Sequence, residues 1–246
     1  MARFQRVFFI FLAGTLWTTT GSGQTWLQEY NKLLQTYRSD SGIAYAAWKK
    51  NTADLKKLDS IVTALAIQTP PDSNDAAEIA YYTNTYNILV LHGVLAETPL
   101  KSVKDIAFNF GFFSQKRFTL GGEKVSLNEI EKIRLLKQFG DARIHFIVNC
   151  ASTSCPPLPA TGITSDNLEA IMNQATTAFL NDHPAGIREL QKGHFAVSKL
   201  FDWYQSDFEK SAGNVIQFIN RYRRVSLPEK AKISYLEYSW NLNQSD

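Results

Sequence analysis

The fold of this chain turns on Ala142-Arg143-Ile144-His145-Phe146-Ile147-Val148-Asn149-Cys150-Ala151-Ser152-Thr153-Ser154-Cys155-Pro156-Pro157-Leu158, where an apolar run empties into a small, polar, proline-closed loop. From Ile144 to Val148 every residue but His145 is β-branched or aromatic, which predicts a strand running to Asn149 with a loop at its end. Side chains alternate across a strand, so Ile144, Phe146, Val148 and Cys150 share one face while Arg143, His145, Ile147 and Asn149 share the other. The first face is apolar and shelters Cys150. Cys155 lies beyond the strand, and a loop that folds back brings it either to His145 and Asn149 or to Cys150.

Two chemistries fit these residues. In the first, the domain is a cysteine-dependent hydrolase or transferase. Cys155 is its nucleophile, His145 the base, and Asn149 or Asn84 orients that base or stabilises an oxyanion. The loop through Ser152 and Ser154 offers backbone N–H groups to a developing anion, and a neighbouring imidazole favours the thiolate. In the second, a Cys150–Cys155 disulfide pins the recognition loop of a non-enzymatic binding module; closing a loop this short is worth ~2 kcal/mol in the chain-entropy model. Thiol titration of the unreduced protein separates the two. A metal is not expected, because alternation separates His145 from Cys150 and no fourth ligand stands out. No glycine-rich phosphate loop, His-Glu-x-x-His or Gly-x-Ser-x-Gly pattern is present, so no cofactor is expected either.

The first 23 residues read as a signal peptide. Arg3 and Arg6 precede the apolar run Val7 to Leu16, and the small residues Gly21, Ser22 and Gly23 follow, which places cleavage before Gln24. The run is too short for a membrane span, which wants about 18 residues or more. The expectation is an exported protein, periplasmic or extracellular, with no span left after processing. Removing this segment leaves 24 basic against 23 acidic residues, a formal charge of +1. That balance carries no electrostatic footprint for nucleic acid, and the cluster Arg221-Tyr222-Arg223-Arg224 reads as a solvated helix end. An oxidising compartment makes the only two cysteines a candidate pair. The expected partner is a small-molecule, peptide or sugar ligand, in a groove presenting Tyr82, Phe112, Phe113 and Trp203.

The rest of the chain supplies the frame. At 246 residues and 44% hydrophobic content it can bury a substantial core, and no linker divides residues 24–246, which are read as one domain. Helical spacing appears over Trp26 to Tyr37 and Thr52 to Ile67, the latter stopped by Pro70-Pro71. Ser73 or Asn74 caps a helix from Asp75 to about Ala96 that is apolar almost all round and is therefore the buried central helix. Its Asn84 and Asn87 lie on one side and must find hydrogen bonds, from a loop backbone or from a ligand. A hairpin turns at Gly121-Gly122, and Ser126-Leu127-Asn128-Glu129 opens a helix to about Phe139. Asp166 to Asn181 and Asn214 to Arg224 are further helices, with a helical or turn segment from Lys199 to Glu209. Ile187 to Leu190, His194 to Ser198 and Lys232 to Tyr238 are strands. The predicted class is α+β: an antiparallel sheet of about five strands packed against the buried central helix, with further helices around it.

Several motifs stand in a familiar order. Ala80-Tyr81-Tyr82-Thr83-Asn84-Thr85-Tyr86-Asn87, Lys101-Ser102-Val103-Lys104-Asp105-Ile106, Arg143-Ile144-His145-Phe146 with Asn149-Cys150-Ala151-Ser152 and Ser154-Cys155-Pro156-Pro157-Leu158, and Ser198-Lys199-Leu200-Phe201-Asp202-Trp203-Tyr204 with Asp207-Phe208 resemble the DUF547 family. The closing Tyr238-Ser239-Trp240-Asn241-Leu242-Asn243 is similar to its terminal motif. The resemblance runs from about Ala44 to Asn243 and departs from the family at Tyr82-Thr83. It implies a domain and often export, but that family is named for its unknown function, so no reaction or catalytic residue comes with it.

Overall fold

The computed structural model describes residues 22–245. The expected signal peptide, residues 1–23, lies outside the described residues except for its last two, which begin the first helix, Ser22–Tyr37. At the centre stands the helix Asp75–Glu97, capped by Asn74, whose side chain accepts the Ala77 N–H. Asp75 and Glu78 occupy its first turn, where acids suit the helix dipole. Every residue from Ile79 to Leu91 is buried, as an all-round apolar helix requires. It packs against the helices Tyr45–Lys50 and Thr52–Ile67 and against a π-helix over Glu129–Lys137.

The chain is α+β, but it does not build one five-stranded sheet. It forms a two-stranded ribbon (Arg38–Ser39 with Gly42–Ile43), the hairpin Phe118–Leu120 with Glu123–Val125, and a three-stranded sheet. In that sheet His194–Val197 pairs antiparallel with Ile187–Gln191 and parallel with Lys232–Tyr235. Gly121 and Gly122 turn the hairpin with φ of 55° and 85°, the positive values a tight turn demands.

The sheets stay separate because the predicted central strand is not a strand. Ala142–Phe146 is a 3-10 helix, with Asp141 accepting the Arg143 N–H at its start. Alternation would put Ala142, Ile144, Phe146 and Val148 together. Instead Ala142 and Phe146 enter one hydrophobic cluster, while Ile144, Ile147 and Val148 enter another. Spacings of three and four residues are helical, so a turn serves both clusters where a strand serves neither. The larger cluster surrounds the central helix. The smaller surrounds Phe146, whose ring lies 5.5 Å from that of Phe179 and 6.1 Å from that of Phe208. Arg143 ties this turn to the helix Leu168–Asp182 by pairing with Asp141 at 2.6 Å and Glu169 at 2.8 Å.

The last residues weave the structure together. Asn241 pairs with Ser102, Leu242 with Ser152, and Gln244 with Ile43 as isolated β-bridges. Gly42, at φ 137°, is needed here, since a Cβ at this position would collide with the Asn243 carbonyl. The tail thereby closes over the cysteine loop and brings Tyr238 and Trp240 beside it.

Candidate functional site

A cleft of about 320 Å³ opens where the cysteine loop, the π-helix and the residue 200–240 segment meet. Both cysteines and His145 line it, together with Tyr86, Glu131, Tyr204 and an aromatic wall that includes Phe110, Phe113, Trp203, Tyr238 and Trp240.

The cysteine loop is held by buried amides that hydrogen-bond to backbone. Asn87 donates to the Ile147 carbonyl at 2.9 Å and accepts the Asn149 N–H at 2.8 Å, gripping the backbone on both sides of Val148. Asn84 does the same at Ile163, at 2.7 and 2.9 Å. Asn149 donates to the Pro156 carbonyl and accepts from the Ala151 N–H and from Asn243. Of the two expected partners of Asn84 and Asn87, loop backbone or ligand, the backbone is the one they meet here, and Asn149 braces the loop in the same way. Ser154 is likewise engaged, its hydroxyl accepting the Ser239 N–H. Ala151 sits at φ 61°, a left-handed conformation that costs a non-glycine residue about 1–2 kcal/mol and that swings Ser152 back over Cys150.

Both thiols are free. The Cys150–Cys155 disulfide, one of the two expected arrangements, is not formed. Cys150, half-buried, lies 3.1 Å from the Ser152 hydroxyl and 3.2 Å from that of Tyr238, and these two hydroxyls are 3.0 Å apart. Cys155 is buried, and its sulfur accepts the Cys150 N–H at 3.0 Å. Burial raises the Cys150 pKa, but hydrogen bonds from the Cys155, Ser152 and Tyr238 side chains and from the Ser152 backbone outweigh it, so the thiol falls below its ordinary value. Cys155 goes the other way: burial, and then its hydrogen bond to Cys150, push its thiol well up. The two thiols are thus shifted in opposite directions.

His145 belongs to the cleft without touching either sulfur. Its Nε2 lies 3.1 Å from Asp207 Oδ2, and its ring packs on Tyr204 at 4.1 Å and Phe208 at 5.3 Å. The hydrogen bond from His145 is the chief reason the Asp207 carboxyl falls below the usual carboxylate range. An ionised Asp207 fixes the proton on Nε2 and leaves Nδ1 as the basic nitrogen, which has no protein partner among the described residues. Below it the Tyr204 hydroxyl donates to buried Glu131 at 2.9 Å. Burial, and then the Glu131 charge, raise Tyr204 so that it stays a donor.

Sequence reasoning missed Glu131 as a cleft residue, although the signal was there. It stands four residues after Leu127 and four before Leu135, an acid on an otherwise apolar stripe. The π-helix that carries it is a rare geometry found most often at functional sites. Tyr238 and Trp240 were readable only as family motif, because only the tail's return path brings them here. Of the expected groove residues, Phe113 and Trp203 line the cleft, whereas Tyr82 and Phe112 pack in the core.

Residues 70–180 match the family described as Protein of unknown function, DUF547. That stretch is a DUF547 domain. It contains the central helix, the π-helix and the whole cysteine loop, whereas Tyr204, Asp207, Tyr238 and Trp240 fall after it. The DUF547 segment thus supplies both sulfurs and His145, and the following residues supply the partner of His145 and most of the aromatic wall. No curated protein and no solved structure matches the chain. Among the described residues, no group of three His, Cys, Asp or Glu side chains is placed to hold a metal ion.

Proposed function

We propose that this cleft is the active site of a thiol-dependent acyl-transfer enzyme, a hydrolase or transferase, with Cys150 rather than Cys155 as the nucleophile. The observation that carries the reading is the Cys150 sulfur, half-buried at the cleft with the Ser152 and Tyr238 hydroxyls 3.1 and 3.2 Å away and Ser152 donating to Tyr238, which leaves the tyrosine proton for the sulfur. Such surroundings favour the thiolate, the form that attacks. As the Cys150 sulfur bonds to the acyl carbon its proton passes to His145 Nδ1, and His145 gives that proton to the leaving amine or alcohol as its bond to the acyl carbon breaks. Water or an acceptor nucleophile, deprotonated by His145 Nδ1, then breaks the thioester and restores Cys150. Asp207 is a positioning residue that sets the imidazole tautomer. The N-terminal pattern supports export, so the substrate is met outside the cytoplasm.

The test is acylation by an activated ester, p-nitrophenyl acetate, followed by mass mapping. A thioester at Cys150 that is absent from Cys150→Ala is the expected result. Hydrolysis that persists unchanged in Cys150→Ala sinks the reading. A second reading, a binding module for a peptide or sugar ring, is favoured by one observation: Trp203 is 45% exposed while stacked on Trp240 at 5.9 Å, a platform open to a ligand.

A further inference from the structure

The cysteine loop separates two cavities. One is the cleft described above; the other, of about 270 Å³, is bounded by the Arg38–Ile43 turn, Thr153, Leu158 and His183. Cys155 is the one residue that lines both. Its sulfur already accepts the Cys150 backbone N–H at 3.0 Å, and its own thiol faces the Val148 carbonyl at 3.8 Å, so the two cysteines are held side by side by the backbone between them. Acyl transfer needs no second thiol. A buried thiol held against a nucleophilic one, with a cavity of its own, is unexplained by that chemistry.

We propose that the pair reduces hydroperoxides, Cys150 taking the oxygen and Cys155 resolving it into a disulfide. The Cys150 thiolate attacks the distal oxygen of ROOH; an S–O bond forms, the O–O bond breaks, and the leaving alkoxide takes a proton to become ROH. Cys150 is then a sulfenic acid. The Cys155 sulfur attacks the Cys150 sulfur, the S–O bond breaks, and the oxygen leaves as water with the thiol proton, so two thiols have given two electrons to the peroxide. The Tyr238 hydroxyl, 3.2 Å from the sulfur and itself accepting from Ser152 at 3.0 Å, is the proton donor at hand. An external dithiol regenerates the pair by attacking Cys155, which can be reached from the second cavity without entry into the cleft. The assignment does not depend on acyl transfer.

The experiment treats the reduced mature protein with equimolar tert-butyl hydroperoxide. Wild type is expected to lose both thiols together and two hydrogens of mass, with the bridge mapped to the peptide holding Cys150 and Cys155, and an added dithiol restores both. In Cys155→Ser the disulfide is lost and a sulfenic acid accumulates at Cys150, trapped as its dimedone adduct; in Cys150→Ser Cys155 stays reduced. Wild type that keeps both thiols overturns the proposal, as does oxidation of Cys155 in Cys150→Ser at the wild-type rate. Wild-type mapping decides alone should either variant fail to fold. Ester acylation of Cys150 is expected to survive in Cys155→Ser. Acylation failing while the bridge forms removes only the acyl-transfer reading, and the reverse removes only this one.

Discussion

The two walls of the cleft are built on opposite principles. On the cysteine-loop wall the polar side chains serve the loop itself: Asn87 and Asn149 hydrogen-bond to its backbone, and Asn243 donates to the Asn149 side chain. On the facing wall the side chains are large and incompletely covered, Trp203 and Phe110 being 45% and 39% exposed. Phe110 is even held at φ 58°, following Asn109 at φ 52°, two left-handed residues in a row. Its ring nonetheless packs on Trp240 at 4.9 Å, with the Lys104 ammonium 5.1 Å above it. The difference teaches that one wall is set by its own hydrogen bonds while the other leaves aromatic area uncovered.

Changes on the first wall are expected to be severe. Cys150→Ala should abolish iodoacetamide labelling at neutral pH, while Cys155→Ala leaves most of it; equal loss from both would erase the distinction between the sulfurs. In wild type, the labelling rate should rise at a pH below that of an ordinary thiol, in keeping with the lowered Cys150 pKa. Asn87→Ala strands the Ile147 carbonyl and the Asn149 N–H, both buried, and should cost about 2–4 kcal/mol in urea unfolding. A loss under about 1 kcal/mol would mean the loop is not braced from the central helix.

Between the walls stands Asp207. Its folded carboxyl is depressed, so its contribution to stability is present above the unfolded value near pH 4 and fades as pH falls through the folded one. The stability gap between wild type and Asp207→Asn should therefore narrow as the pH drops below about 4, and a gap constant with pH would deny the His145–Asp207 hydrogen bond. Smaller still is Trp203→Ala on the open wall. It should change stability by less than about 1 kcal/mol, since the side chain is half exposed, while weakening retention of ring-bearing ligands such as aromatic peptides. Ala151→Gly, which relieves a left-handed strain, should shift stability by no more than about 1 kcal/mol, and upward.

The sequence makes some of this legible and hides the rest for physical reasons. The central helix was readable to within one residue at its end, because its cap and its unbroken apolar surface leave no other structure open to it. The Gly121-Gly122 hairpin was equally plain. The Ile144 to Val148 run misled because β-branched residues favour strands, yet burial against two separate clusters outweighed that preference. Asp141, which caps the turn, was the clue against a strand. The site loop was found but its cysteines were assigned by strand alternation, so they came out reversed in exposure once the strand was gone. Asp207 was visible as a charge, though only folding could pair it with a histidine 62 positions away.

The weave of the final residues also has a temporal consequence. Ile43 bridges to Gln244, and Ser152 to Leu242, so the cleft depends on contacts that span most of the chain. Pairings this remote are slow to find, because the intervening chain must first be gathered in. On the ribosome Cys150 therefore remains without its hydroxyl neighbour Tyr238 until translation has passed that residue, so the cleft cannot close before then.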